Sequence, residues 1–338
     1  MTKTEITFSH DFQDIEYVNQ VVHSWEQGAQ SFQLKTSGST GIPKPLTLSR
    51  KLLIWSVKGT KVSLRLDDHQ KILCCLPIRK TGGFMQLIRA LYLEWDIHFI
   101  NPSANPLKGI NGGKFTLTSF TPMQLQNSLE QEEVLISISN VLVGGAPVHP
   151  ELALKLASLP NTYWETYGMT ETASHIALRQ IGRDSEFIPM QGVQLNTIDN
   201  RLKISIESLD IKLTTNDIAQ INKEGNFKIL GRVDDIINSG GLKIYPVELE
   251  SKIQSILTKA GLTATFYVSH LPDQLLGQKV ILIMEQSEEI DRNILLSTLK
   301  ATLDKPYIPK GIYWVEHILR TDTDKLIRRP LDAYDKYS

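Results

Sequence analysis

Cysteine is nearly absent from this chain: two residues, Cys74 and Cys75, in 338. Adjacent inside an apolar stretch, they cannot cross-link distant segments and are too few for a zinc site. They read as a buried, reduced pair. Long hydrophobic runs are lacking too. Stretches such as residues 72–77 fall far below the ~18 residues that a membrane-crossing helix needs. Neither sign of charge is in surplus, since 36 Lys+Arg face 37 Asp+Glu. The balance holds on both sides of Val233, which argues against nucleic acid or an acidic membrane surface as partner. No repeat period or low-complexity tract occurs. The first fourteen residues are polar with no apolar core, so no secretory signal is expected and the expected location is cytoplasmic. What remains is an ordinary globular composition, 41% hydrophobic and 22% charged, with a length that suggests about two domains.

The first two thirds alternate short β-rich runs with helical patterns, which argues for an α/β layered sheet. Residues 71–77, 95–100, 115–119 and 134–143 read as strands, and residues 84–93 have helical spacing. Thr121 and Pro122 open a helix as N-cap and first residue. Between Gly192 and Arg232 the pattern changes to short alternating strands. Residues 218–221 and 227–230 there flank a turn as a hairpin. Pro246 then opens an amphipathic helix to about Lys259. Strands at 263–269, 280–284 and 312–316 and a helix at 292–303 complete an α+β portion. The expected division is a large domain 1–232, a hinge 233–235 and a small C-terminal domain 236–338. Asp234 and Asp235 followed by Gly240 and Gly241 suit such a hinge.

The densest chemical signal is Thr36, Ser37, Gly38, Ser39, Thr40 and Gly41, followed by Lys44. Glycines let backbone N–H groups approach phosphate oxygens, while hydroxyls and a lysine add donors and charge. The Walker A spacing fails, because Pro43 and Pro45 stand where its second glycine and its Ser/Thr belong. Ser49 is expected to cap a helix from Arg50 to about Lys58, placing the loop between a strand and that helix.

Thr36 to Lys44 resembles the phosphate loop of the acyl-adenylate-forming superfamily, and four further segments match it in order. Gly144, Gly145, Ala146 and Pro147 resemble the glycine turn beside the adenine and acyl pockets. Tyr167, Gly168, Met169, Thr170 and Glu171 are similar to the adenine and magnesium motif. Asp217 and Arg232 resemble the ribose-binding pair, and Asp234 the hinge. Lys325, after Arg320, resembles the mobile C-terminal lysine. The resemblance implies the adenylate-forming-enzyme fold, with a mobile α+β lid. Thr36 lies so near the start that the large domain is expected in a shortened form. It also implies ATP, Mg²⁺ and coenzyme A as substrates and cofactor. A carboxylate attacks the α-phosphate to give acyl-AMP, and the thiol of coenzyme A then displaces AMP. In that scheme Tyr167 stacks on adenine, Thr170 donates to the α-phosphate and Glu171 holds Mg²⁺. Lys325 bridges the two reactants, and the lid rotates about Asp234 to present Gly240 and Gly241 for the second step.

The acid is approached through residues 76–89. Thr81, Gly82 and Gly83 are candidates for the pocket and thiol-tunnel wall, and Arg89 interrupts an apolar helical stripe. An arginine there either runs its head out to water or clamps a second substrate carboxylate. With the run from Tyr167 to Arg179, including His175 as a further pocket candidate, the pattern most resembles the o-succinylbenzoate–CoA ligases of menaquinone biosynthesis. Their substrate is a dicarboxylate. Ligases for another aryl or fatty acid, and a nucleotide binder without ligase activity, are the alternatives. Four positions depart from the superfamily pattern: Arg79 and Lys80 stand in place of an aromatic–His pair, Asn216 precedes Asp217 where a glycine is usual, and Asp324 precedes Lys325 likewise. Oligomeric state is not legible.

Overall fold

Residues 72–75 show how the main sheet divides its surroundings. Ile72 and Cys74 pack into one hydrophobic cluster, while Leu73 and Cys75 pack into another on the opposite face. That two-residue alternation is what a strand buried on both sides produces. The computed structural model describes residues 4–36, 44–110, 112–286, 290–320 and 326–334. The chain divides into two compact units. One is Met1–Gln194 with Ser205–Ile211 and Glu224–Asn226; the other is Leu195–Ile204, Lys212–Lys223 and Phe227–Ser338.

In the first unit, β1 (Ile6–Phe8), α1 (Ile15–Glu26), β2 (Ser31–Thr36) and β3 (Lys44–Ser49) precede α2 (Arg50–Ser63). Then follow β4 (Lys71–Cys74), α3 (Thr81–Leu93), β5 (Asp96–Phe99), β6 (Phe115–Phe120), α4 (Pro122–Ser128) and α5 (Glu132–Leu135). β7 (Ile138–Val143), α6 (Pro150–Ala157), β8 (Thr162–Met169), β9 (Ser174–Gln180) and β10 (Ile188–Pro189) complete it. Eight strands form one sheet in the order β1-β5-β4-β6-β7-β8-β9-β10. Its pairs are parallel as far as β8 and antiparallel from there to β10. α1, α2 and α3 cover one face with the β2–β3 hairpin, and α4, α5 and α6 cover the other. The expected layered α/β fold is present. α3 is buried continuously from Gly83 to Leu91, which makes it an internal helix.

Two local expectations need correction. The segment expected as the phosphate loop is not followed directly by a helix: residues 37–43 lie outside the described residues, but β2 and β3 pair in antiparallel register, Thr36 opposite Lys44, so β3 intervenes before α2. The alternation of buried Leu48 with exposed neighbours is the strand signal there. Ser49 caps α2 as expected, accepting from Leu52 N–H at 3.2 Å. Second, Val134 and Leu135 belong to α5, with Glu132 and Glu133 favouring a helix N-terminus, and the strand starts only at Ile138. Thr121 opens α4 with the expected cap, reinforced by reciprocal bonding with Gln124.

A three-stranded sheet follows, β11 (Gln194–Ile198), β12 (Arg201–Ile206) and β13 (Ile211–Thr214), then the hairpin β14 (Asp217–Ile221) and β15 (Phe227–Arg232). The second unit continues with β16 (Ile237–Ser239), β17 (Leu242–Ile244), α7 (Pro246–Lys259), β18 (Phe266–Asp273), β19 (Gly277–Glu285), α8 (Arg292–Thr302) and β20 (Ile312–Val315). Those five strands form one sheet. Leu249, Ile253 and Leu257 of α7 recur every four residues and bury one stripe beside Val268, Leu282 and Met284. Tyr267, Ile281, Ile283 and Val315 face the other way, onto Ile318 and Leu331. Among the described residues no helix is long and apolar enough to cross a membrane.

Candidate active site

β7 ends at buried Val143, and the chain turns at once through Gly144 and Gly145. Gly144 N–H donates to Phe120 carbonyl at 3.0 Å, and a Cβ at Gly144 would lie 2.3 Å from Thr166 Oγ1. Gly145 has φ +90°, which other residues rarely adopt. This turn lies at the carboxyl ends of parallel strands, where α/β sheets leave room for a ligand. Next to it, the β8–β9 register shifts between Tyr167 and Gly168. A side chain at Gly168 would meet Ser174 carbonyl at 2.2 Å, so glycine is required there. Half-buried Tyr167 lies 5.9 Å, centroid to centroid, from Phe187. A short turn, Thr170–Thr172, then presents Glu171 to solvent and leaves Thr170 half-buried.

Thr81 sits 89 residues earlier and donates its hydroxyl to Thr170 Oγ1 at 3.0 Å. It opens α3 after Lys80, which makes no side-chain cap, and Gly82 and Gly83 follow in the same turn. The structure therefore brings the residue 81–83 segment to the Thr170 turn. Arg79 turns away instead. It pairs with Asp14 at 2.9 Å and lies 4.3 Å over the Tyr17 ring, which fastens residue 79 to α1.

Arg89 does not run out to water. It is only 2% exposed. No acidic group among the described residues pairs with it. Nη1 donates to Gln86 Oε1 at 3.2 Å, while Nη2 makes long contacts with Thr60 Oγ1 at 3.4 Å and Ser174 Oγ at 3.3 Å. Nε, also buried, has no partner. Burial pushes its pKa down to about 10, slightly offset by Cys74. Gln86 is oriented by donating to Ser119 Oγ at 2.8 Å. His175, 4% exposed, joins the same two hydroxyls. Thr60 gives its own proton to Ser56 carbonyl at 2.9 Å, so it can only accept from His175 Nε2 at 3.1 Å. The proton is then on Nε2, and Nδ1 accepts from Ser174 at 3.3 Å. Burial, and then the Arg89 charge, hold the His175 pKa well below its ordinary value, so the ring is neutral. The result is a buried cation surrounded by neutral oxygens. Thr60, Gln86 and Ser174 were missed in the sequence; the polar Ser56 and Thr60, four residues apart on the buried face of α2, were the available signal.

The second unit holds a separate group. Asp217 and Arg232 face one another across β14 and β15, Nη1 to Oδ1 at 3.3 Å. Arg232 also reaches Asp234 Oδ2 at 3.2 Å, and Asn216 Nδ2 donates to that oxygen at 2.9 Å. Asp217, Arg232 and Asp234 are thus brought together, and Asn216, which departs from the superfamily pattern, ties the last of them. Ser37, Gly38, Ser39, Thr40, Gly41, Asp324 and Lys325 lie outside the described residues. Thr36 and Lys44 close the described ends of β2 and β3.

Residues 22–205 match the family of AMP-binding enzymes. This chain belongs to that family. Among curated proteins, the AMP-binding enzyme is 26% identical to the 2-succinylbenzoate–CoA ligase of Staphylococcus epidermidis over 89% of this chain and 69% of that protein. It is 26% identical to that of Listeria innocua over 91% and 71%. Among solved structures, an acyl-CoA synthetase (AMP-forming)/AMP-acid ligase II-like protein from Dyadobacter fermentans is 32% identical with a TM-score of 0.63, covering 91% of each chain. The o-succinylbenzoate CoA synthetase of Bacillus subtilis, solved with its acyl-adenylate intermediate, shares the fold: TM-score 0.75 at 22% identity, covering 87% of this chain and 67% of that one.

Proposed function

We propose that this AMP-binding enzyme is an o-succinylbenzoate–CoA ligase of menaquinone biosynthesis. It joins the acid to AMP at the expense of ATP, releasing pyrophosphate, and then transfers the acyl group to coenzyme A, releasing AMP. The names of the curated relatives support the reaction. The observation that carries the substrate is Arg89, a buried guanidinium with neutral hydrogen-bond partners only and an Nε–H left unused. A buried cation needs an anion, and an activated monocarboxylate leaves no anion for this position. The second carboxylate of a dicarboxylic acid fills it with charge-assisted hydrogen bonds. Thr60 and Ser174 present lone pairs toward Arg89, which holds the fork in place before the acid arrives.

In the adenylation step, Tyr167 offers its ring face to adenine, and Gly144, Gly145 and Ala146 shape the wall beside it. Because Thr81 donates to the Thr170 oxygen, the Thr170 proton is free for an α-phosphate oxygen. The phosphate loop, Thr36 to Lys44, takes the remaining phosphates. Asp217 and Arg232 hold the ribose, and Lys325 bridges carboxylate and α-phosphate. Positioning and stabilisation of phosphoryl charge supply the rate. Glu171 is exposed and has no ion-pair partner among the described residues, which fits a Mg²⁺ that takes one carboxylate and otherwise water and phosphate oxygens; bound there it neutralises phosphate charge. For the second step the domain 236–338 rotates about 233–235, with Asp234 as pivot, and Gly82 and Gly83 line the thiol's path. ATP and coenzyme A place this chemistry in the cytoplasm.

Arg89→Ala tests the substrate. The expected kcat/KM with o-succinylbenzoate falls by roughly 100-fold or more, the order expected when one partner of a buried charge pair is removed. AMP binding by the same variant stays within a few-fold of its starting value. Unchanged kinetics with the dicarboxylate would leave a ligase for another acid as the better reading.

A further inference from the structure

We infer that Glu165 and Arg179 are positioning residues of the nucleotide pocket, one ion pair holding both its glycine turn and its aromatic platform. The inference rests on reading Tyr167 and the Gly144 turn as the adenine site. Glu165 is 5% exposed and stands directly opposite Arg179 across β8 and β9. Its Oε2 accepts from Arg179 Nε at 2.8 Å and from Nη2 at 2.6 Å. Its Oε1 accepts from Val148 N–H at 3.2 Å.

The turn is thereby fastened twice to one residue. Where the turn begins, Val143 of β7 is paired in register with Glu165 of β8. Where it ends, Val148 is bonded to the Glu165 side chain. Residues 144–147 are a loop whose two ends meet at Glu165. The other wall is reached through the arginine. The Arg179 guanidinium lies 4.8 Å over the Phe187 ring, and Phe187 in turn meets Tyr167 at 5.9 Å with the rings tilted by 54°. Tyr167 is two residues beyond Glu165 on β8, hence on the same side of the strand.

Stability alone does not account for such a pair. Desolvating two charges cancels most of their attraction, and apolar residues of similar volume serve a core at least as well. What apolar residues cannot do is accept from a turn's N–H while fixing a planar cation against an aromatic ring. A glycine turn is among the most conformationally free segments a chain can have. A carboxylate that fixes its ends lowers the ordering cost when adenine binds.

The test is calorimetric titration of the full-length protein with AMP, with KM for ATP and for o-succinylbenzoate measured in parallel. Glu165→Gln turns an amide N–H₂ toward the guanidinium donors and releases Arg179. Arg179→Lys keeps the charge but loses the fork and the ring contact. Both are expected to weaken AMP binding and raise KM for ATP about tenfold while KM for the acid stays within twofold. Phe187→Leu, which leaves the ion pair intact, is expected to weaken AMP about threefold. Should Glu165→Gln not fold, Arg179→Lys and Phe187→Leu carry the test. AMP binding within twofold of the unaltered protein in both of those, or equal losses for nucleotide and acid, overturns the inference. Failure of the unaltered protein to bind AMP overturns the pocket reading beneath it.

Discussion

Burying a guanidinium with no carboxylate beside it destabilises a fold. For Arg89 the fall in pKa to about 10 corresponds, at ~1.4 kcal/mol per pH unit, to about 3 kcal/mol of desolvation carried at neutral pH. Sites kept for function often carry such a cost. Arg89→Met, similar in length and apolar, is therefore expected to raise the melting temperature of the unliganded protein by several degrees while abolishing turnover of the dicarboxylate. Differential scanning calorimetry checks this, and a lowered melting temperature would mean that the arginine is structural. The position of Arg89 was legible as an interruption in the apolar stripe of residues 84–93. Its surroundings were not. Thr60, Gln86 and Ser174 come from a helix, a second helix and the start of a strand, and no local pattern links them before the chain folds. The same holds for Glu165 and Arg179, whose partnership is a matter of strand register.

At the level of elements, the site depends on how β8 and β9 meet. The irregularity at Tyr167 and Gly168 brings the strands so close that any Cβ at residue 168 would strike Ser174 and His175 backbone. Gly168→Ala is expected to cost about 1–3 kcal/mol of stability, as overpacking does. It displaces Tyr167 and Thr170 along with the strand, so KM for ATP should rise several-fold. Urea unfolding and initial-rate kinetics would show both, and an unaffected KM would separate the strand geometry from nucleotide binding. Most strands and helices could be read from periodicity and capping, as with Thr121 and Pro246. The phosphate loop could not be placed. A run of glycines and hydroxyls looks alike whether it leads into a helix or returns as a hairpin, and the pairing of Thr36 with Lys44 is settled by the partner strand. The motifs themselves carried the family, because five segments in order survive errors in the elements between them.

Over the whole molecule, two half-reactions share one chain, and the segment 233–235 is the proposed pivot. Asp234 accepts from Arg232 and Asn216, so the proposed pivot is bound by side-chain hydrogen bonds to one member of the proposed ribose pair and to the neighbour of the other. Asp234→Pro fixes φ and removes an N–H at that point. Pyrophosphate release with o-succinylbenzoate is expected to continue while thioester formation falls by roughly 100-fold, since only the second step needs the rotation. Equal loss of both would place the pivot elsewhere. Mass spectrometry of the products reads the proposed reaction itself. Purified protein is given ATP, Mg²⁺ and coenzyme A with o-succinylbenzoate, benzoate or a medium-chain fatty acid in parallel. o-Succinylbenzoyl-CoA and AMP are expected from the first acid alone; a thioester from one of the other acids, or none from any, would overturn the proposed reaction or its substrate.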